Sequence, residues 1–134
     1  MGQVLHGSAD EIITARFSEL AKWSMTPGWT GAGFTRLVME LADLPGHPAR
    51  AIAHRHKAEV EAWWAGLLRK AGVASPREWA REVALLMEGA MALILIHGDR
   101  TYASAAARAA IRLVNGNAPR KTASSRSRRI AAAR

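Results

Sequence analysis

Hydrophobic residues recur along most of the chain at spacings of three and four, which is the period of an amphipathic helix. The first such set is Ile13, Phe17, Leu20 and Ala21. Ser8 and Glu11 just before it have the S-x-x-E spacing of a capping box, in which each side chain binds a free backbone amide. Pro27 disfavours helical backbone at the residue before it. The pattern predicts a helix over residues 9–24.

Two further helices are predicted between turns rich in glycine and proline. A short apolar stripe follows the glycines of segment 28–33 and stops at the Leu-Pro-Gly of 44–46, which predicts a helix over 33–44. Pro48 suits a first helical position, and Gly72 suits the residue after a helix end, so a third helix is predicted over 48–71. One side of this third helix carries Ile52, His56, Val60, Trp63, Trp64, Leu67, Leu68 and Ala71.

The fourth helix has the strongest start signal. Ser75 is a candidate N-cap, Pro76 suits the first position and Glu78 the third, which predicts a helix over 76–97. Its second half is apolar nearly all round, so one buried face does not account for it. This helix is either central in the domain or also faces a partner subunit. A fifth helix, over 100–114, has a stripe of mostly small residues.

The predicted fold class is therefore all-α, a bundle of five helices. No segment shows the alternation of a strand. Residues 1–8 form an N-terminal lead and residues 9–115 the folded domain. Residues 116–134 are rich in Ser, Ala and Arg without a periodic apolar face, and predict a disordered basic tail.

Charge is unevenly distributed over the 134 residues. The chain has 19 Lys and Arg against 11 Asp and Glu, a net charge of +8. Six of the bases follow Gly116, where there is no acid, so the remaining 13 bases and 11 acids leave the rest of the chain at +2. A basic tail can bind phosphate backbones without sequence preference. One hypothesis is thus a small helical nucleic-acid-associated protein acting through its tail.

Several classes of function are not indicated. The chain has no cysteine, which excludes disulfides and thiolate metal sites. His54 and His56 lie about 200° apart around a helix, so they do not share a metal ion. We find no nucleophile elbow, facing carboxylate pair or phosphate loop. We therefore expect no enzyme activity, no metal and no cofactor.

A membrane location is not indicated either. The longest apolar stretch, 83–96, has 14 residues and contains Glu88, whereas a membrane span needs about 20. No targeting segment is apparent at the N-terminus. The expected location is cytoplasmic.

The order of these segments resembles the C-terminal regulatory half of tetracycline-repressor (TetR) family transcriptional regulators. The resemblance covers residues 9–115. It lies in a first helix ending near Trp23, Gly-Ala-Gly-Phe at 31–34, Leu-Pro-Gly-His-Pro at 44–48, Trp63-Trp64, Ser75-Pro76 and Leu-Leu-Met-Glu-Gly-Ala at 85–90. The family's helix-turn-helix unit, of about 50 residues, has no counterpart before Ser8. DNA contact is expected only through such an upstream unit, or weakly through the basic tail.

This resemblance implies an effector-binding and dimerisation domain. The first four helices would enclose a pocket for a small apolar molecule, and the last two would pair with those of a second copy. The resemblance and the five tryptophans and five methionines suggest these pocket walls: Phe17, Trp29, Phe34, Val38, His56, Val60, Trp63, Trp64, Val83 and Met87. His56 is the candidate polar contact, although a hydrogen-bonded core residue is the simpler explanation for it. Each tryptophan and methionine taken singly is also more simply explained as core. The candidate dimer interface is Ala90, Ile94, Tyr102, Ala106, Ala109 and Leu113.

Overall fold

The computed structural model describes residues 7–116 and contains five helices in that range. They are α1 (Ala9–Trp23), α2 (Gly33–Glu40), α3 (Pro48–Lys70), α4 (Pro76–His97) and α5 (Thr101–Gly116). No strand occurs within this range, so the all-α, five-helix prediction is confirmed. The predicted tail lies outside the described residues, apart from Gly116, which ends α5.

The start of α1 follows its local sequence signal. Ser8 has extended backbone, and its hydroxyl accepts a hydrogen bond from the backbone amide of Glu11 at 3.3 Å. This bond satisfies one of the amides that have no partner inside the first helical turn. Helix α3 also ends as predicted, because Gly72 adopts left-handed backbone with φ of 81°.

Two predicted features differ from the structure. Helix α2 ends at Glu40 and not at 44, and just after this end Arg50 of α3 donates hydrogen bonds of 3.2 Å to the carbonyls of Leu41 and Ala42. These bonds satisfy carbonyls at the helix end and stabilise the turn there. Ser75 precedes α4 as predicted but makes no side-chain capping bond, since its backbone is left-handed, with φ of 52°. The predicted capping role of this serine is wrong.

The core lies where α1, α3, α4 and α5 meet. Trp64 of α3 is fully buried, and the ring of Phe17 lies 6.3 Å from it, centroid to centroid. Helix α5 packs on both α1 and α4 through small side chains, which allow the helix axes to approach closely. Those buried side chains are Ala103, Ala106, Ala107 and Ala110.

Helices α2 and α4 differ in how many neighbouring helices they pack against. Helix α2 packs mainly on α3 and contains no buried residue. Helix α4 packs between α3 and α5, yet its Leu85 and Ile96 keep 72% and 70% of their surface exposed. No helix in residues 7–116 is both long and apolar enough to cross a membrane.

Replacing Phe17 by alanine tests the packing of this core. Only 1% of Phe17 is exposed. We expect Phe17→Ala to lower the free energy of unfolding by about 3–5 kcal/mol, because it leaves a cavity beside Trp64. Urea denaturation followed by circular dichroism measures this loss. Met39→Ala, at a side chain that is 71% exposed, is the control and should change stability little.

Hydrogen bonds to the Asp99 carboxyl just before α5 make the stability of the folded chain depend on pH. A hydrogen bond of 2.6 Å from the Thr101 hydroxyl and one of 2.9 Å from its amide hold the pKa of the Asp99 carboxyl below its ordinary value of 3.8. The charged carboxylate therefore stabilises the folded chain above that pH, and this contribution is lost as the pH falls through the lowered pKa.

We expect Asp99→Asn to reduce stability at about pH 6, with the difference from the original chain shrinking towards about pH 3. Urea denaturation at intermediate pH values measures the trend. Asp43→Asn, at an exposed carboxyl with no hydrogen bond to a described residue, is the matched control. A difference that stays constant with pH would contradict the assigned role of the Asp99 charge.

Candidate ligand-binding cleft

A cleft of about 940 Å³ lies between α2, α3 and α4, with mostly apolar walls. Helix α2 and the residue just before it contribute Ala32, Gly33, Phe34, Thr35 and Leu37. Helix α3 contributes His56, Lys57, Val60, Glu61 and Trp64, and α4 contributes Arg81, Ala84, Leu85, Met87, Glu88 and Met91. From α1 only the last residue, Trp23, reaches the cleft. The cleft is open to solvent, and exposed Leu85 and Trp23 are among its walls.

The loop before α2 is brought close to α4 by a glycine. Gly31 is buried and left-handed, with φ of 81°. A Cβ atom at this position would lie 3.3 Å from the Cδ2 atom of Leu95. A larger residue would therefore be strained and would press the loop away from α4. Glycine at position 31 allows α2 to begin where it lines the cleft.

The α3 wall follows from helical geometry. His56, Val60 and Trp64 are spaced four residues apart and so lie along one side of the helix. The ring of Phe34 packs on that of His56 with 4.6 Å between centroids and 33° between planes. His56 is exposed, and Trp64 is fully buried at the base of the wall. An apolar molecule in the cleft would therefore meet aromatic rings from two helices.

One polar cluster connects all three helices of the cleft; we call Thr35, Lys57 and Glu88 the Glu88 cluster. The Thr35 hydroxyl donates a 2.7 Å hydrogen bond to Glu88 Oε2, and Lys57 Nζ forms an ion pair with Glu88 Oε1. The Lys57 and Glu88 side chains are 35% and 32% exposed. Solvent screens a pair of this exposure, so its importance is geometric more than energetic.

The remaining polar groups at the cleft are less constrained. Arg81 and Glu61 make no ion pair within residues 7–116, and both also border a smaller groove of about 500 Å³ between α3 and α4. The indole N–H of Trp64 is buried without a hydrogen-bond partner in that range. A buried donor without a partner lowers the free energy of unfolding by about 1–3 kcal/mol. Hydrogen bonding is therefore incomplete at this position beside the cleft. No three His, Asp or Glu residues of the described range lie close enough to hold a metal ion.

Five of the ten predicted pocket residues lie on the walls of this cleft. They are Phe34, His56, Val60, Trp64 and Met87. Four of them were chosen from the apolar stripes of the second and third helices, whose periodicity shows which residues share a face. The structure brings those faces together across the cleft.

The other five predicted pocket residues lie elsewhere. Phe17 and Val83 are each 1% exposed and fill the core behind the cleft. Trp63 is 44% exposed and packs edge-on against Trp64. Neighbouring residues of a helix point about 100° apart, so Trp63 does not share the side of α3 on which Trp64 lines the cleft. Trp29 packs edge-on against Trp23 at 5.7 Å, and half-buried Val38 of α2 lies outside the lining.

The structure adds lining residues that the sequence analysis did not select. Three of them form the Glu88 cluster. The sequence does mark Glu88 as unusual, since it is the one acid in the apolar stretch 83–96. Lys57 follows His56 on the lining side of α3, but a lysine on a helix is ordinarily taken as solvated. Trp23, Leu85 and Met91 had no signal that distinguishes a cleft wall from core or surface.

The predicted dimer-interface residues divide between core and surface. Ala90, Ile94 and Ala106 are 4%, 3% and 9% exposed, because α4 and α5 pack on each other and on the core through them. In this arrangement these three are not available to a second copy. Tyr102 is partly buried and stacks on His97, Ala109 is half-buried, and Leu113 is 41% exposed.

Removing the Thr35 hydroxyl tests the Glu88 cluster. We expect Thr35→Val, which keeps the shape of the side chain, to lower the free energy of unfolding by about 1 kcal/mol because one hydrogen bond is lost. Thr30→Val is the control, since the exposed Thr30 hydroxyl makes no hydrogen bond to a described residue. Urea denaturation of both variants measures the difference. Equal stability of the two would show that the Thr35 bond does not hold α2 to α4.

The geometry consists of an apolar cleft, aromatic side chains on two of its walls and one polar cluster that joins three helices. Its function must be inferred from these features. Comparisons with protein-family models, with curated proteins and with solved structures find no match to this chain.

Proposed function

We propose that residues 9–115 are the effector-binding and homodimerisation domain of a TetR-like transcriptional regulator that senses a small apolar molecule. The observation that carries this proposal is the cleft of about 940 Å³ between α2, α3 and α4. Pockets for small organic molecules commonly measure about 300–1,000 Å³ and have apolar walls with few polar groups. The cleft meets this description.

The order of the helices also supports the proposal. The resemblance places the effector pocket among the first four helices and the dimer contact on the last two. In the structure the cleft is formed by α2, α3 and α4, with Trp23 from α1. Exposed apolar side chains, such as those of Leu93 and Leu113, occur on α4 and α5.

The Glu88 cluster suggests how a ligand would act on the domain. A ligand shifts a conformational equilibrium only when its affinity differs between the two states. A molecule in the cleft contacts α2 and α4 together, so it favours arrangements in which these helices are spaced to hold it. In regulators of the TetR type, such a shift reaches DNA through a helix-turn-helix unit ahead of the effector-binding domain.

We assign the cleft a binding role without catalysis. The carboxylate of Glu88 is held by Thr35 and Lys57, and this arrangement suits orientation of a ligand's polar group. An apolar body would lie against Phe34, Val60 and Met87. The expected ligand is largely apolar and carries at most a small hydrogen-bonding group.

Filling the cleft with a larger side chain tests this function. We expect the chain to bind the apolar dye Nile red, with a rise in dye fluorescence, and Val60→Trp to weaken binding at least about tenfold, which corresponds to 1.4 kcal/mol. Ile52→Trp is the matched control, because Ile52 lies on α3 outside the cleft and is 47% exposed.

Titration of dye with each folded variant gives the dissociation constants, and circular dichroism checks folding. Unchanged binding by Val60→Trp would place the dye elsewhere on the chain. Absence of dye binding by the original chain would contradict the proposed apolar ligand site.

A further inference from the structure

The cleft and the smaller groove of about 500 Å³ meet on the surface between α3 and α4. Glu61 of α3 and Arg81 of α4 line both of them. From this junction the cleft extends along α4 towards Met91, and the groove extends the other way, to Arg77 of α4 and Arg69 of α3. A molecule that lies in the cleft with one end at Arg81 therefore also borders the groove.

The groove is rich in positive charge. Its lining carries Arg69, Arg77 and Arg81 against Glu61 and Glu78, which leaves a net charge of +1. All three arginines are exposed, and none of them forms an ion pair with another residue of 7–116. The groove therefore offers guanidinium groups to a negatively charged partner.

The arrangement of the arginines suits one small planar anion. Arg77 and Arg81 are four residues apart, so they lie on one side of α4. Arg69 lies in the last turn of α3, on the other wall of the groove. Alanines form the rest of the lining and are too short to cover the guanidinium groups: Ala58, Ala62 and Ala65. A guanidinium group matches the two oxygens of a carboxylate with parallel hydrogen bonds.

The far end of the cleft does not suit an anion. The Lys and Arg residues on the cleft lining are Lys57 and Arg81. Lys57 is already paired with Glu88, whose carboxylate would repel a second negative charge beside it. Arg81 makes no ion pair with any part of the chain that the structure describes. A negatively charged group on a ligand is thus favoured at Arg81 and disfavoured at the Glu88 cluster.

We infer that the ligand of this site is an amphipathic acid, whose apolar body lies in the cleft and whose single carboxylate is bound by Arg81 at the junction with the groove. Arg77 and Arg69 add to the positive potential around that carboxylate. The inference rests on the proposed function for the place of the apolar body. It specifies as an anion the small polar group that the proposed function leaves open.

Glu61 limits the strength of this contact. It is half-buried at the same junction, and its carboxylate repels a ligand carboxylate held at Arg81. Solvent also screens the charge of the exposed Arg81. Burial of the apolar body therefore supplies most of the affinity, and Arg81 distinguishes acids from uncharged molecules of the same shape.

Two matched probes, decanoate and decanol, test the inference. They share one apolar chain, and at neutral pH the terminal group is a charged carboxylate in decanoate and an uncharged hydroxyl in decanol. Isothermal titration calorimetry gives the affinity of each probe directly, below the concentrations at which either forms micelles or droplets. Circular dichroism checks that each variant is folded.

We expect Arg81→Gln to weaken decanoate binding about threefold to fivefold, because a charge-assisted contact is lost at an exposed position. Decanol binding should stay nearly unchanged. Arg108→Gln is the matched control, since it removes the same charge at an exposed position of α5 outside the cleft and the groove. Equal weakening of decanoate by the two variants would show an effect of net charge alone and overturn the contact with Arg81.

Glu61→Gln should act in the opposite direction. We expect it to strengthen decanoate binding about twofold, because repulsion at the junction is removed, and to leave decanol binding nearly unchanged. Glu59→Gln is its control, at an exposed carboxyl of α3 outside both linings. Equal decanoate affinities of the two glutamate variants would overturn the placement of the ligand carboxylate beside Glu61.

Val60→Trp separates this inference from the proposed function. We expect it to weaken both probes, since the apolar chain lies against Val60 in either case. Weakening of both by Val60→Trp, with decanoate unaffected by Arg81→Gln, would overturn the inference and leave the apolar ligand site standing. Dependence of decanoate on Arg81 but not on Val60, without decanol binding, would retain the anion contact and contradict the proposed ligand site.

Discussion

The structure depends on one constraint, which is that α4 carries more apolar surface than two neighbouring helices can cover. Helices α3 and α5 bury one side of it, where Val83, Ala90 and Ile94 lie. The remaining surface divides between the cleft and an exposed apolar side that includes Leu85 and Ile96. The cleft and the exposed apolar surface of α4 are thus neighbouring features of one helix, and both follow from its composition.

The one acid in stretch 83–96 of α4 contacts both other helices of the cleft. Glu88 stands in an otherwise apolar stretch, and its side chain is 32% exposed. Thr35 of α2 and Lys57 of α3 are its partners. The same contact that satisfies the carboxylate positions α2 across the cleft from α4. The contact thus links the walls of the cleft, and partial exposure keeps its energetic contribution modest.

Local signals in the sequence predicted local features well. The start of α1 at Ser8 and the end of α3 at Gly72 depend on side chains and backbone within a few residues, and both were predicted. The turn after α2 is bound by Arg50 from the next helix, and Ser75 is left-handed in the short connection between α3 and α4. Neither constraint is visible from nearby residues alone.

In the candidate site, too, nearby residues predict some features, while other helices determine the rest. The periodicity of α3 identified His56, Val60 and Trp64 as one face, and this face lines the cleft. Periodicity does not say which neighbour covers an apolar face, so Phe17 was assigned to the pocket although it belongs to the core. Helix α2, by contrast, has no buried residue and is tied to α4 by one side-chain bond. Its free energy of local unfolding is therefore low compared with that of the whole domain. For the proposed effector-binding domain, opening of this one helix would admit a ligand to the cleft while the core around Trp64 stays intact.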